Sequence, residues 1–220
     1  MKKILLMPLL LILLFSFCGN RNSADENTVS RMSLADTLDL LKERALVMNS
    51  LEFLNDSLPM TYLKTGFFLD SLHRTALLIQ NPMDTSYIVQ LFVEKDNKWI
   101  RSDSISGLWG LSANFDVKYQ DYNFDGISDI YIQSVVSNGF VVSRGHLLIV
   151  DPVLKKLIYQ DEANGLGNLM LDAKNKVIYS QEAIIDNYGE WKYQMATNEW
   201  INGKLVTVRK DNPADPDTRE

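Results

Sequence analysis

Hydrophobic residues recur about every 3.6 positions between Ser33 and Phe53, and this spacing predicts an amphipathic helix. Ser33 can cap the start of the helix, with Asp36 three residues further on. The apolar stripe consists of Leu34, Leu38, Leu41, Ala45 and Met48. We expect this to be the only long helix and its stripe to face the core.

Beyond the helix, short apolar or alternating runs are separated by turn residues, as is typical of antiparallel β-structure. The dipeptide Asn202-Gly203 favours a tight hairpin. We predict a mainly β fold, barrel-like or sandwich-like, with about eight strands in the C-terminal half and one N-terminal helix. We find no internal repeat, which argues against a β-propeller. The predicted strands cover residues 66–69, 74–80, 86–95, 99–104, 114–120, 127–136, 143–151, 156–160, 168–172, 177–183, 190–200 and 204–210.

The N-terminus predicts export. Lys2 and Lys3 precede an apolar run that ends at Phe17, which has the length of a signal-peptide core and is too short to span a membrane. Cys18, the only cysteine, follows directly, and its position resembles the lipobox of bacterial lipoproteins, although Phe17 stands where a small residue is usual. The alternative is a thiol inside an ordinary signal peptide.

These features divide the chain into four parts. We expect a signal peptide over residues 1–17, a lipidated N-terminus and flexible tether over 18–33, one mostly-β domain over 34–210, and a disordered tail over 211–220. Removing the signal peptide takes away two lysines, so the formal charge of −6 falls to −8. An acidic protein argues against a nucleic-acid partner. The expected location is the cell envelope, where the lipid would anchor the chain to the outer membrane, on its periplasmic face or at the cell surface.

One loop predicts a calcium site, because oxygen-bearing side chains occupy alternate positions around a glycine, Gly126. Glycine suits the sharp turn with positive φ that such a loop needs at this position. Ile132 stands where a helix-loop-helix calcium site needs a glutamate, so an EF-hand is excluded, and Asp116 is a candidate to complete the coordination. The alternative is a polar turn without a metal. The predicted ligands are Asp121, Asn123, Asp125, Asp129 and the backbone carbonyl of Ile127.

With its flanking residues, this loop resembles a known family. The segment from Asp116 to Ile130 is similar to Gram-negative envelope proteins that carry an Asp-x-Asn-Phe-Asp-Gly-x-x-Asp loop and are related to the periplasmic inhibitors of animal-type (C-type) lysozyme. Weaker similarity extends over residues 114–209. The resemblance implies an eight-stranded β-structure with calcium bound at the rim, and it names the inhibition of C-type lysozyme as an alternative function. The same loop also occurs in integrin-like calcium repeats.

Inhibitors of that family insert a loop with a serine, a glycine and a tyrosine into the lysozyme cleft. The nearest candidate partner-binding segment here is Ser137, Asn138, Gly139 and Phe140, which has different spacing and no tyrosine. The alternative is a hairpin turn between two strands.

The chain carries no catalytic motif that we recognise. His73 and His146 are the only histidines, and neither has metal-binding spacing. Asp161 and Glu162 leave an envelope hydrolase as a second alternative. We predict a non-enzymatic envelope lipoprotein that binds a protein or glycan partner, and we expect the aromatic residues near the C-terminus to fill the core. These are Tyr188, Trp191, Tyr193 and Trp200.

Overall fold

The computed structural model describes residues 34–137, 142–186 and 188–211. Within them the chain forms one α-helix, thirteen strands and two short 3₁₀ turns, Ser112–Asn114 and Asp161–Ala163. The helix is α1 (Leu34–Val47). The strands are β1 (Leu51–Asn55), β2 (Met60–Gly66), β3 (Thr75–Asn81), β4 (Ser86–Lys95), β5 (Lys98–Trp109), β6 (Asp116–Gln120), β7 (Asp129–Val136), β8 (Ser143–Asp151), β9 (Lys156–Gln160), β10 (Met170–Asp172), β11 (Val177–Ile185), β12 (Trp191–Ile201) and β13 (Lys204–Lys210).

The strands form three antiparallel sheets, and in each sheet the strand order is the chain order. We call them the N-terminal sheet (β1 to β5), the middle sheet (β6 to β9) and the C-terminal sheet (β10 to β13). The predicted mainly antiparallel β fold with one helix is confirmed. The eight strands after residue 114 belong to two separate sheets, and no sheet of the described residues closes into a barrel.

The middle sheet is buried on both faces because the N-terminal sheet packs on one face and the C-terminal sheet on the other. Neighbouring side chains of each of its strands point to opposite faces. Ile130 and Ile132 pack with the N-terminal sheet, whereas Tyr131 between them packs with the C-terminal sheet. On β8, Leu148 and Leu147 divide in the same way. The result is a layered arrangement of three sheets, which explains the continuous apolar runs in β7 and β8.

Helix α1 covers the outer face of the N-terminal sheet, where Leu38 packs against Leu63 and Leu78. Of the predicted stripe, Leu38, Leu41 and Ala45 face the core, whereas Met48 lies beyond the end of the helix and is 45% exposed. The predicted helix extended to Phe53, which is wrong, because residues from Leu51 onward pair with β2 as strand β1. Arg74 fixes the end of the helix, since its guanidinium donates hydrogen bonds to the backbone carbonyls of Ala45, Leu46 and Met48.

Strand β2 was not predicted, and the strand predicted over residues 66–69 is wrong, because β2 ends at Gly66 and the next strand begins only at Thr75. Thr61 and Thr65 are polar but buried, so the composition of this strand does not indicate that it is enclosed. Tyr62 points to the middle sheet and Leu63 to the helix, so a strand of mixed composition is enclosed on both faces.

Most of the C-terminal aromatic residues lie outside the core, contrary to the prediction. Tyr188 is 85% exposed and Trp191 is 55% exposed, while only Trp200 packs into the interface of the middle and C-terminal sheets. The strand alternation does place Trp191 and Tyr193 on one face of β12, but that face of the C-terminal sheet is not covered by another layer of the described chain. Within the described residues, no helix is both long and apolar enough to cross a membrane.

Candidate metal centre

The predicted calcium loop connects β6 and β7, the first hairpin of the middle sheet. It is tightly turned: Gly126 has a φ of 89°, and Phe124 adopts the left-handed region with a φ of 62°. Such a φ is uncommon for a bulky residue and persists only when the surroundings enforce it. The Phe124 ring packs against the cluster between the middle and C-terminal sheets, which supplies that enforcement.

The first three predicted ligands are brought together by hydrogen bonds within the loop. Asp121 Oδ1 accepts the N–H of Asp125 at 2.9 Å, and Oδ2 accepts the N–H of Gly126 at 2.8 Å. Asn123 Oδ1 also accepts the Asp125 N–H, at 3.1 Å, and Asn123 Nδ2 donates to Asp125 Oδ2 at 2.8 Å. The oxygens of Asp121, Asn123 and Asp125 therefore converge on one short stretch of backbone. All three residues keep some solvent access.

The fourth side chain, Asp129, lies beneath the loop and is fully buried. Its Oδ2 accepts the N–H groups of Tyr122 at 2.9 Å and Asn123 at 3.2 Å, and its Oδ1 accepts the N–H of Val150 at 2.9 Å. Burial raises the pKa of Asp129 to about 7, although the three backbone donors act in the opposite direction. In this position Asp129 ties both ends of the loop to strand β8.

The loop is also the junction of the three sheets. The carbonyl of Tyr122 accepts a hydrogen bond of 2.7 Å from Trp200 Nε1 in the C-terminal sheet. On the other side, the N–H of Ser128 donates to the carbonyl of Leu69, which follows β2 of the N-terminal sheet, at 2.9 Å. Ile127 packs into the cluster between the N-terminal and middle sheets, so the loop contacts both neighbouring layers.

The donor types of the loop suit a hard cation, which binds carboxylate, amide and carbonyl oxygens. None of Asp121, Asp125 and Asp129 forms an ion pair with a basic side chain of the described residues. In the same part of the chain, however, no three His, Cys, Asp or Glu side chains are gathered around one point. The position of Asp129 beneath the loop accounts for this, since it leaves two carboxylates, one amide and the Ile127 carbonyl as candidates.

Two other predicted sites fall largely outside the described residues. Cys18 lies there, as do Asn138, Gly139 and Phe140 of the candidate partner-binding segment. Ser137 is described, and its N–H donates to the carbonyl of Val142 at 2.9 Å, which joins the two ends of the β7–β8 connection. Inhibition of C-type lysozyme therefore stays a prediction.

The two histidines have ordinary structural partners. His146 is buried, with Nε2 at 2.7 Å from the Trp109 carbonyl and Nδ1 at 3.2 Å from the Tyr159 hydroxyl. Burial lowers the pKa of His146, which favours the neutral ring. His73 lies on a loop beside Asp70, with 3.0 Å between Nδ1 and Oδ2. The non-enzymatic function remains a prediction.

Sequence reasoning missed the contribution of Trp200. Its indole contacts Tyr122, which is 78 residues away in sequence, and no local sequence pattern predicts such a contact. It also missed the inward orientation of Asp129, although the strand that begins at this residue was a usable signal. Comparisons of the chain with protein-family models, with curated proteins and with solved structures found no match.

Proposed function

We propose that this chain is a non-enzymatic, lipid-anchored protein of the bacterial envelope, in which the loop from Asp121 to Asp129 binds one calcium ion. The ion has a structural role, and the β-domain presents its surface to a protein or glycan partner. The proposal of export and anchoring comes from the signal-peptide pattern and from Cys18.

The observation that carries the calcium proposal is the place of the loop in the fold. Its backbone is hydrogen-bonded through Ser128 to the connection between β2 and β3 and through Tyr122 to the C-terminal sheet, while Asp129 joins it to β8. A cation that stiffens this loop therefore stabilises the contacts of all three layers. Three carboxylates without a basic partner among the described residues favour a positive ion at the same place.

The loop residues have two roles in this proposal, which are to coordinate the ion and to hold the loop backbone in place. Side-chain oxygens of Asp121, Asn123 and Asp125 and the carbonyl of Ile127 would hold the ion, and Asp129 holds backbone N–H groups in place. When bound, calcium supplies two positive charges and requires about six to eight oxygen ligands, so water or Asp116 would complete the set. The flexibility of Gly126 lets the backbone turn around the ion.

The test is thermal unfolding of the full-length protein in a mild detergent, with millimolar calcium or with excess EGTA. At a hundredfold excess over its Kd, a ligand that binds only the folded state adds about 2.7 kcal/mol to the free energy of unfolding. For a domain of this size we expect the melting temperature to rise by about 5 to 10 °C.

Two variants complete this test. Asp125→Ala removes a proposed ligand and should abolish the calcium response. Asp172→Ala is the matched control, because Asp172 caps a separate exposed turn by accepting the N–H of Asn175 at 3.0 Å. It should keep the full response. Equal melting curves with calcium and with EGTA in the unmodified protein would refute the calcium proposal.

A further inference from the structure

Three connections between strands lie together at one end of the N-terminal and middle sheets. They join β2 to β3, β4 to β5 and β8 to β9. Lys155 of the third connection approaches Asp70 of the first, with 3.8 Å between Nζ and Oδ2. Residues of all three connections line one cavity of about 470 Å³. We call residues 67–74, 94–98 and 151–156 together the apolar tip.

Large apolar side chains project into solvent from this tip. Leu72 on the β2–β3 connection is 80% exposed, and Val153 on the β8–β9 connection is 84% exposed. Phe67 and Leu154, on the same two connections, are each more than half exposed. Apolar side chains that are grouped and exposed in this way indicate an interaction surface. Because Leu72 and Val153 project so far, they are suited to penetrate a fluid surface.

Basic side chains accompany the apolar ones. The tip contains five Lys or Arg and four Asp or Glu, so its formal charge is +1, whereas that of the whole chain is −6. Arg74 pairs with Glu94 at 2.9 Å, and Lys155 lies near Asp70, which also bonds His73. The other basic residues of the tip are Lys95, Lys98 and Lys156. None of these three forms an ion pair within the described residues.

Two of these lysines repel each other at the end of the β4–β5 hairpin. The strand register places Lys95 directly opposite Lys98, and like charges in such a pair are destabilising. Asp96, in the turn between them, offsets one of the two charges, while Glu94 is already paired with Arg74. The end of the hairpin therefore keeps a positive charge, which the phosphate of a lipid headgroup would complement.

The calcium loop adjoins the tip, because the N–H of Ser128 donates to the carbonyl of Leu69. The proposed ion offsets two of the negative charges of that loop. Charges elsewhere on the acidic chain act weakly at the tip, since salt screens them over about 8 Å at physiological ionic strength. The unpaired lysines therefore dominate the field at the tip.

We propose that the apolar tip docks on a phospholipid bilayer. Its four exposed apolar side chains insert at the boundary between headgroups and acyl chains, and its unpaired lysines contact lipid phosphates. Surfaces that combine large apolar side chains with lysines bind at this boundary, where the long lysine stems keep the ammonium groups among the headgroups. The inference rests on the proposed lipid anchor and goes beyond it by assigning a second contact with the membrane.

The proposed anchor makes a weak contact of this kind sufficient. Arg74 bonds the last carbonyls of α1 beside the tip, so Leu34 at the other end of the helix is about 21 Å away. The 16 residues from Cys18 to Ser33 can span at most about 50 to 60 Å. An anchored chain can therefore return its tip to the same membrane, and docking becomes an intramolecular step with a high effective concentration.

The test uses the full-length protein in vesicles of phosphatidylcholine and phosphatidylglycerol with brominated acyl chains, which quench tryptophan fluorescence on contact. Leu72→Trp places a fluorophore at the tip. Met83→Trp is the matched control, because Met83 is 77% exposed on the β3–β4 connection, at the other end of β3. The measurement is the fluorescence that each variant adds to that of the unmodified protein. We expect bromine to remove roughly half or more of the fluorescence added by Leu72→Trp, and none of that added by Met83→Trp.

Further substitutions in the Leu72→Trp protein test the two kinds of contact. Val153→Glu puts a charge into the inserted part and should weaken docking by about tenfold or more, whereas Met83→Glu should not change it. Lys95→Gln removes one phosphate contact and should weaken docking by about fivefold. Lys118→Gln is its control, because Lys118 is exposed within strand β6 and outside the tip, and it should leave docking unchanged.

The outcomes separate this inference from the proposed anchor, which flotation with neutral phosphatidylcholine vesicles tests. If the protein floats but Leu72→Trp and Met83→Trp are quenched equally, the anchor stands and the docking of the tip is wrong. If the protein does not float but Leu72→Trp is quenched in the anionic vesicles, the anchor is wrong and the docking stands. If the protein sediments in detergent as a dimer that Val153→Glu dissociates, a second copy covers the tip and the membrane assignment is wrong.

Discussion

The same local interaction occurs in two turns of this protein, the loop from Asp121 to Asp129 and the turn after Asp186. In both, one aspartate carboxylate accepts backbone N–H groups further along the chain. Asp186 Oδ1 accepts those of Tyr188 at 2.8 Å and Glu190 at 2.9 Å, much as Asp121 accepts those of Asp125 and Gly126. Hydrogen-bond geometry alone therefore does not separate a polar turn from a metal-binding loop.

The two turns differ in how their charge is balanced. Asp186 pairs with Lys192 Nζ at 2.6 Å, so the turn carries its own cation. The loop holds three carboxylates, one of them buried, and no basic side chain of the described residues pairs with any of them. Charge balance is thus the property that points to a bound cation in the loop and makes one unnecessary at Asp186.

The largest effect should come from the buried carboxylate of the loop. Asp129→Ala leaves the N–H groups of Tyr122, Asn123 and Val150 without their acceptor, and we expect a loss of roughly 3 kcal/mol or more in the free energy of unfolding. Urea unfolding measures this loss. Asp129→Asn keeps one acceptor oxygen and should lose less. A loss below about 1 kcal/mol for the alanine variant would contradict the assigned support role.

A smaller effect should follow from removing charge without removing the turn. Asp121→Asn removes one negative charge and keeps one of the two oxygens that accept the N–H groups of Asp125 and Gly126. We expect it to lose most of the calcium-dependent rise of about 2.7 kcal/mol, and to lose about 1 kcal/mol in EGTA through the missing hydrogen bond. Asp186→Asn should lose stability equally in calcium and in EGTA. An unaltered calcium response in Asp121→Asn would remove the distinction between the two turns.

A still smaller effect should come from the contact that joins the loop to the C-terminal sheet. Trp200→Phe removes the indole N–H that donates to the Tyr122 carbonyl and keeps much of the apolar packing. One hydrogen bond contributes about 1 kcal/mol, so the expected loss is of that size, and urea unfolding measures it. Trp109→Phe, at an exposed position of β5, is the control and should cost less.

The loop could be predicted because its signal is local. Asp121, Asn123 and Asp125 converge through bonds that span two to five residues, and alternate spacing in the sequence is enough to anticipate them. Strands β4, β8, β9 and β13 were likewise predicted at their observed bounds, since turn residues flank each of them.

The parts that failed depend on contacts between distant segments. Nothing in Leu51 to Asn55 separates a continuing helix from a strand until β2 is present to pair with it. The stacking of three sheets could not be predicted from the sequence either. The apolar run of β7 indicates burial on both faces, but it does not indicate which layers cover those faces. Trp200 belongs to the same class, since its partner Tyr122 is remote in sequence.

The smallest expected effect is the pH dependence of the stability contributed by the Asp186 carboxylate, which pairs with Lys192. The hydrogen bond from Lys192, followed by those of the backbone N–H groups, lowers the pKa of Asp186 below its ordinary value of 3.8. A lowered carboxyl pKa gives stability that is fully present above the unfolded pKa and is lost as the pH falls through the folded pKa. The difference in urea midpoint between the unmodified protein and Asp186→Asn should therefore be constant near neutral pH and shrink below about pH 3.8. Because Lys192 supplies the cation, this difference should be the same in calcium and in EGTA. A difference that persists unchanged into acid would mean that the Asp186 charge contributes nothing, and that the two turns do not differ in the way proposed.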